Sequence, residues 1–177
     1  MTFSNPAGVA AAAASAYVRA LLDLLGPREP LEVLPELTPW LDRRLRGIPD
    51  SRLRQPEGPG KWSVAAIIQH LADSEMILGV RGRLILSEDR PPIRGFDQDL
   101  WAERFRYNEA PTEIALAQLR GMRAANLELW RQLTPGDLER EGMHSERGAE
   151  SLGRLIKLMA AHDLVHRRQI DRVLGAA

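Results

Sequence analysis

Apolar residues recur at spacings of three and four along most of the chain, and strict alternation is scarce, which predicts an all-α protein. A first helix is expected over about 10–25, stopped by Gly26-Pro27. A short apolar segment at 31–34 leads to a helix over about 38–46, with Thr38 as cap, Pro39 in the first turn and Gly47 beyond the end. Residues 49–60 are rich in Pro and Gly and read as a loop. The next helix opens at the Ser63 cap and runs to about 86, with Val64, Ile67, Ile68, Leu71, Leu78 and Ile85 on its apolar line. A connection over 87–110 contains a short helix near 97–104. Another helix starts at Pro111-Thr112 and ends before Thr134-Pro135-Gly136, with Leu116, Leu119, Met122, Asn126, Trp130 and Leu133 facing inward. A loop with Gly142, His144 and Gly148 precedes a last helix over 151–175.

Four long helices with modest apolar stripes predict a four-helix bundle. The second is about 36 Å long at 1.5 Å per residue, and the 24-residue connection after it can run back along that length. The two helices it joins can therefore be parallel, giving an up-down-down-up order with an extra N-terminal helix. Residues 1–29 are expected to form a tail and that helix, and 30–177 the bundle domain.

At 177 residues and 19.8 kDa the chain has the length of one domain. Lys plus Arg and Asp plus Glu both number 24, and this balance argues against a nucleic-acid binder. The absence of cysteine removes disulfides, thiolate metal sites and cysteine nucleophiles together. The apolar stretch 7–18 is too short to span a bilayer, and no Lys or Arg precedes it as in a signal peptide. It reads as a frayed tail entering an Ala-rich helix, and a cytoplasmic protein without membrane contact is expected.

Candidate chemistry centres on histidine. His162 and His166 lie four apart, so both rings share one helix face, one turn apart. They continue the core stripe Leu152, Leu155, Met159 toward Ile170 and Val173. His70 lies at the edge of the apolar face of its own helix. Burying three unpartnered imidazoles is costly, and one shared divalent metal satisfies all three. His70 lies roughly 10 Å into its helix, while His166 and His162 lie roughly 12 and 18 Å from the end of theirs. Antiparallel packing, which the proposed order requires, brings them to similar levels. Three nitrogen ligands leave a coordination position for water or a substrate oxygen or sulfur. Asp73, Glu75 and Asp163 are candidate catalytic bases or supports of the ligands.

Plainer readings exist for each signal. The histidines can be hydrogen-bonded core residues, and the carboxylates solvated or salt-bridged. His144 reads as a surface or capping residue. Trp101, Phe105 and Tyr107 read as cover for the bundle, with a pocket mouth as the alternative. Arg81, Arg83, Arg104, Arg106, Arg167 and Arg168 are scattered, and one or two can bind an anionic substrate without the sequence choosing among them. His162-Asp163-Leu164-Val165-His166 has the spacing of the H-E-x-x-H protease helix, but Asp stands at the Glu position, one methylene short.

The stretch 61–75, KWSVAAIIQHLADSE, and the stretch 162–170, HDLVHRRQI, resemble paired motifs of the DinB-like superfamily. Residues 96–102 and 142–144 are similar to it as well, and the resemblance covers roughly 30–174. It implies an up-down-down-up bundle and a divalent metal, zinc or nickel, held by His70, His162 and His166. It also implies a homodimer. Relatives include S-transferases that use low-molecular-weight thiols, isomerases and hydrolases, and the family name describes expression after DNA damage rather than DNA binding. A metal-dependent enzyme acting on a small-molecule substrate is therefore expected, by thiol transfer or hydrolysis. In a thiol transfer the sulfur must come from a cosubstrate, since the chain has no cysteine. The competing expectations are a non-catalytic stress-response bundle with structural histidines and a small-molecule binding module built on the aromatic loop.

Overall fold

The computed structural model describes residues 11–175, with side chains from residue 16; the expected tail over 1–10 lies outside the described residues. Helix α1 (Ala11–Leu25) ends where Gly26 takes φ +60° and its N–H reaches the Leu22 carbonyl at 2.9 Å. The apolar segment after it is helical too: α2 (Pro30–Val33), a 3-10 turn (Leu34–Glu36) and α3 (Leu37–Arg44) follow without a break. A short α4 (Asp50–Leu53) precedes α5 (Val64–Ser87), whose Ser63 hydroxyl accepts from the Ala66 N–H. The long connection carries strand β1 (Pro92–Ile93) and α6 (Gln98–Arg104), the latter capped by Asp97. Then come α7 (Thr112–Trp130) and α8 (Pro135–Glu139), which starts with a Thr134–Asp137 capping box. Strands β2 (Glu141–His144) and β3 (Gly148–Ser151) lead into α9 (Leu152–Leu174), capped by Ser151.

Side-chain contacts give the helix directions. Along α5 and α7, Asp73 meets Gln118, Glu75 meets Arg123 and Asn126, and Arg83 meets Asn126. Both numbers rise together, so these helices are parallel. Glu36 and Arg44 of the first arm meet Arg167 and Asp171 of α9, so that arm runs parallel to α9. It runs antiparallel to α7, since the Leu34 carbonyl accepts from Arg123 while Asp42 pairs with Arg120. The histidine contacts place His70 of α5 against His162 and His166, while Leu78 and Arg81 share a cavity with Leu155 and Leu158. Thus α5 and α9 are antiparallel. The order is up-down-down-up, and α1 packs along α9 as the extra helix.

Two glycines let the parallel pair approach closely. A Cβ on Gly82 would overlap the buried Trp130 ring, and one on Gly79 would lie 2.7 Å from the Asn126 amide.

Thr38, expected as a cap, lies inside α3, and the structure departs further from the sequence pattern around His144 and on α7. The expected loop around His144 is a hairpin, β2 against β3, with β1 parallel on its other edge. The Met143 and Ser145 N–H groups donate to the Pro91 and Ile93 carbonyls at 2.8 and 2.9 Å. On α7 the buried line includes Ala115, Arg123 and Leu127, while Leu116 and Met122 are only partly covered. Leu119, Asn126 and Trp130 are buried as expected, and at Met122 burial passes to its neighbour Arg123, which is paired inside.

The core falls into two apolar clusters. One holds Leu21, Ile85, Trp130, Leu155 and Met159; the other holds Leu41, Ile68, Leu71, Leu119 and Ile170. Along α9 the first cluster reaches Val165 and the second begins at Ile170, and His162, Asp163 and His166 stand around that junction. No helix among the described residues is long and apolar enough to cross a membrane.

Candidate metal centre

His70 projects from α5, and His162 and His166 project from successive turns of α9. Antiparallel packing brings their rings together with centroids 4.3–5.0 Å apart. The His162 Nε2 lies 3.0 Å from the His70 Nε2 and 3.1 Å from the His166 Nε2. One nitrogen from each ring lies within 4.8 Å of the others. His70 and His166 are buried, and His162 is partly exposed.

Two side chains orient these rings. The Gln169 Oε1 lies 2.8 Å from the His166 Nδ1. An amide oxygen only accepts, so Nδ1 carries the proton and Nε2 of the neutral ring offers its lone pair to the cluster. Trp62 packs on His70, with ring centroids 4.9 Å apart. The Ser74 hydroxyl lies 3.4 Å from the His70 Nε2.

The protons of three neutral imidazoles do not satisfy this arrangement. With the His166 Nε2 fixed as an acceptor, one N–H from His162 serves it and leaves the His70 Nε2 facing a nitrogen already used. A single cation accepting three lone pairs satisfies all of them. Imidazole nitrogens bound to one tetrahedral ion stand roughly 3.3 Å apart, close to the spacing observed. Burial pushes His70 and His162 well below the ordinary histidine range, reinforced by the neighbouring imidazoles, and takes His166 down to about 4. Neutral rings with free lone pairs are what a metal requires. The His70 Nδ1 is buried with no hydrogen-bond partner among the described residues.

The three candidate carboxylates are engaged elsewhere. Asp73 accepts from the Tyr107 hydroxyl at 2.6 Å and from Gln118 at 3.4 Å. Burial and this bond raise the Tyr107 pKa. Glu75 accepts from the Arg123 Nε at 2.9 Å and from Asn126 at 2.7 Å. Asp163 accepts from Arg123 with both oxygens, at 2.7 and 3.1 Å. Burial raises the Asp163 carboxyl to about 6, against the pull of Arg123. No hydrogen bond among the described residues joins any of the three to a histidine nitrogen.

Sequence reasoning missed Trp62, Gln169 and Arg123 as parts of this centre. Gln169 was findable, since it stands one helical turn beyond His166. His144 lies apart from the cluster: it is buried, and its Nδ1 accepts from the Glu146 N–H at 3.1 Å. It therefore caps a turn, as expected, but does not face solvent. The aromatic connection does reach the centre, since Trp101, Phe105, Tyr107 and Trp62 form a chain of ring contacts ending on His70.

Two cavities adjoin the cluster. A small one of about 100 Å³ is lined by His70, His162, Ser74 and Arg81. A larger one of about 770 Å³ reaches Trp62 and Gln169, the two groups that orient the rings, and is bordered by Lys61, Arg168 and Asp99.

Residues 39–170 match the model of the DinB superfamily. A protein of Oceanobacillus iheyensis, named provisionally as a metal-dependent hydrolase, is 38% identical over 107 residues. That match covers 60% of this chain and 62% of the relative, so the chain spans less than two thirds of that protein. YfiT of Bacillus subtilis, named in the same way, is 29% identical over 150 residues, covering 82% of this chain and 84% of YfiT. The solved YfiT structure superposes with a TM-score of 0.73 at 24% identity, over 99% of this chain and 95% of that one. It is described as a probable metal-dependent hydrolase with an unusual four-helix bundle topology, and this likeness establishes the fold.

Proposed function

Because the chain belongs to the DinB superfamily, we propose that it is a metal-dependent hydrolase of a small-molecule substrate, with His70, His162 and His166 holding one divalent ion, zinc or nickel. The observation that carries this reading is the convergence of three neutral imidazole nitrogens at 3.0 and 3.1 Å in a buried site. The names of the relatives favour hydrolysis over thiol transfer. A divalent ion bound there supplies Lewis acidity, polarising a substrate oxygen and making water more acidic.

The chain's own residues prepare the site. Gln169 holds the His166 ring in the Nδ1–H tautomer, and Trp62 limits rotation of His70. His162 is the partly exposed member and lines the small cavity, so a substrate reaches the cluster from that side. The Ser74 hydroxyl on the cavity wall can orient a substrate oxygen or a water. Asp73, Glu75 and Asp163 hold the helices rather than the reacting atoms.

The test is metal content by plasma mass spectrometry on protein purified without chelators, beside His70→Ala and the double variant His162→Ala/His166→Ala. About one equivalent per chain is expected in the parent and less than a tenth in the variants. A screen of ester and amide substrates should show activity lost with chelator and restored by zinc or nickel. Equal metal in parent and double variant would sink the proposal.

A further inference from the structure

Arg81 lies on α5 eleven residues beyond His70, on the face that also carries Ser74. That is about 16 Å of helix rise between the Cα atoms, and an arginine side chain leans back toward the helix N-terminus. Its side chain is buried, at 8% exposure. The guanidinium donates to the Arg94 carbonyl and lies over the Phe96 ring, 5.8 Å from its centroid. It forms no ion pair among the described residues.

The buried acid that acts on Arg81, Glu150, is already committed. Glu150 receives two hydrogen bonds from Arg147, at 3.0 and 2.6 Å, and Arg154 lies 3.9 Å away. Glu150 thus answers Arg147, and no carboxylate among the described residues pairs with the Arg81 guanidinium. Burial lowers the Arg81 pKa to about 10, helped by Arg147 and opposed by Glu150 and Glu146. The guanidinium stays charged at neutral pH.

Arg81 and Arg147 line the same cavity as His70 and His162, and Leu78, Leu155 and Leu158 form apolar walls between them. No carboxylate among the described residues lines it. A buried cation is stable when paired and hydrogen-bonded, and this one has an unfilled side facing a cavity of about 100 Å³ that ends at the histidines.

We propose that this cavity binds a small organic acid, its carboxylate pairing with Arg81 and its apolar chain running between the leucines toward the three-histidine centre. The reacting end of that acid rests on the metal-enzyme reading; the carboxylate end stands without it. Arg81 is a binding residue that selects an anionic substrate, and Arg147, paired with Glu150, lines the cavity beside it.

The experiment is calorimetric titration of the full-length protein as purified with hexanoate and with its neutral analogue hexanamide, in the parent, Arg81→Gln and Arg81→Lys. Hexanoate is expected to bind at least tenfold more tightly than hexanamide in the parent. That preference should vanish in Arg81→Gln and survive in part in Arg81→Lys. Equal binding of the two compounds by the parent overturns the proposal. A preference undiminished in Arg81→Gln also overturns it, since the carboxylate then goes elsewhere. The parent comparison needs no variant, so a folding defect in Arg81→Gln does not blunt it. Metal content of the same samples separates the two readings: an acid preference in protein that takes up no zinc or nickel overturns the metal centre and leaves the carboxylate site standing.

Discussion

His144 shows how a single buried side chain couples this fold to pH. Its pKa falls from 6.5 to about 4, first through burial, then through Arg147 and Arg81, with Glu150 pulling weakly the other way. The folded state therefore binds the proton less tightly than the unfolded chain. Stability from this group is complete above pH 6.5 and is lost as the pH falls toward 4. Between pH 7 and pH 5 the loss amounts to about 2 kcal/mol. Asn at this position keeps an acceptor for the Glu146 N–H without the titration. Urea unfolding at pH 7 and pH 5 should show His144→Asn losing about 2 kcal/mol less than the parent over that interval. Identical losses would mean that His144 is solvated in solution. The sequence marked His144 as a cap because Gly142 and Gly148 flank it; its burial depends on β1, some fifty residues earlier in the chain.

At the scale of elements, the parallel pair α5 and α7 depends on where glycine stands. Replacing an exposed helical glycine by alanine stabilises by up to about 1 kcal/mol through propensity alone. Gly121 on α7 is such a position, with nothing within 4 Å of its added Cβ. Gly82 is the opposite case, because its Cβ would enter the Trp130 ring. Overpacking of this kind costs about 1–3 kcal/mol. Thermal unfolding should therefore give opposite signs: Gly121→Ala raises the midpoint and Gly82→Ala lowers it. A gain at both positions would show that α7 can move away from α5. Local signals made these helices legible. Ser63 caps α5 and Ser151 caps α9, and the length of the 87–110 connection allowed the parallel order of α5 and α7. The β-hairpin was illegible for the converse reason. Its strands are four residues long, without alternation, and one edge is completed by Pro92 and Ile93 from a distant segment.

The whole molecule is joined by the charges between its two apolar clusters. Arg123 of α7 reaches Glu75 of α5, Asp163 of α9 and the Leu34 carbonyl of the first arm. Four segments of the bundle thus meet at one guanidinium, beside the histidine that Asp163 follows in sequence. The hydrophobic pattern placed Met122 inward and did not mark Arg123, because a charge carries no sign of its partners 48 and 40 residues away. The three histidines were legible because their spacing is local on α9 and the third sits at a matching level on α5. The ion network that holds those levels was not. Arg123→Met would leave two carboxylates buried without a counter-charge, which costs about 3–5 kcal/mol. Adding Glu75→Gln and Asp163→Asn removes both stranded charges while keeping an acceptor for Asn126. The triple variant should recover at least half of the loss, since a buried ion pair exchanged for neutral groups is often close to neutral in stability. Urea unfolding of the parent, the single and the triple variant measures both steps. A single variant within about 1 kcal/mol of the parent would show that water reaches Glu75 and Asp163. A triple variant no better than the single would mean that Arg123 acts through its packing and its bond to the Leu34 carbonyl rather than through its charge.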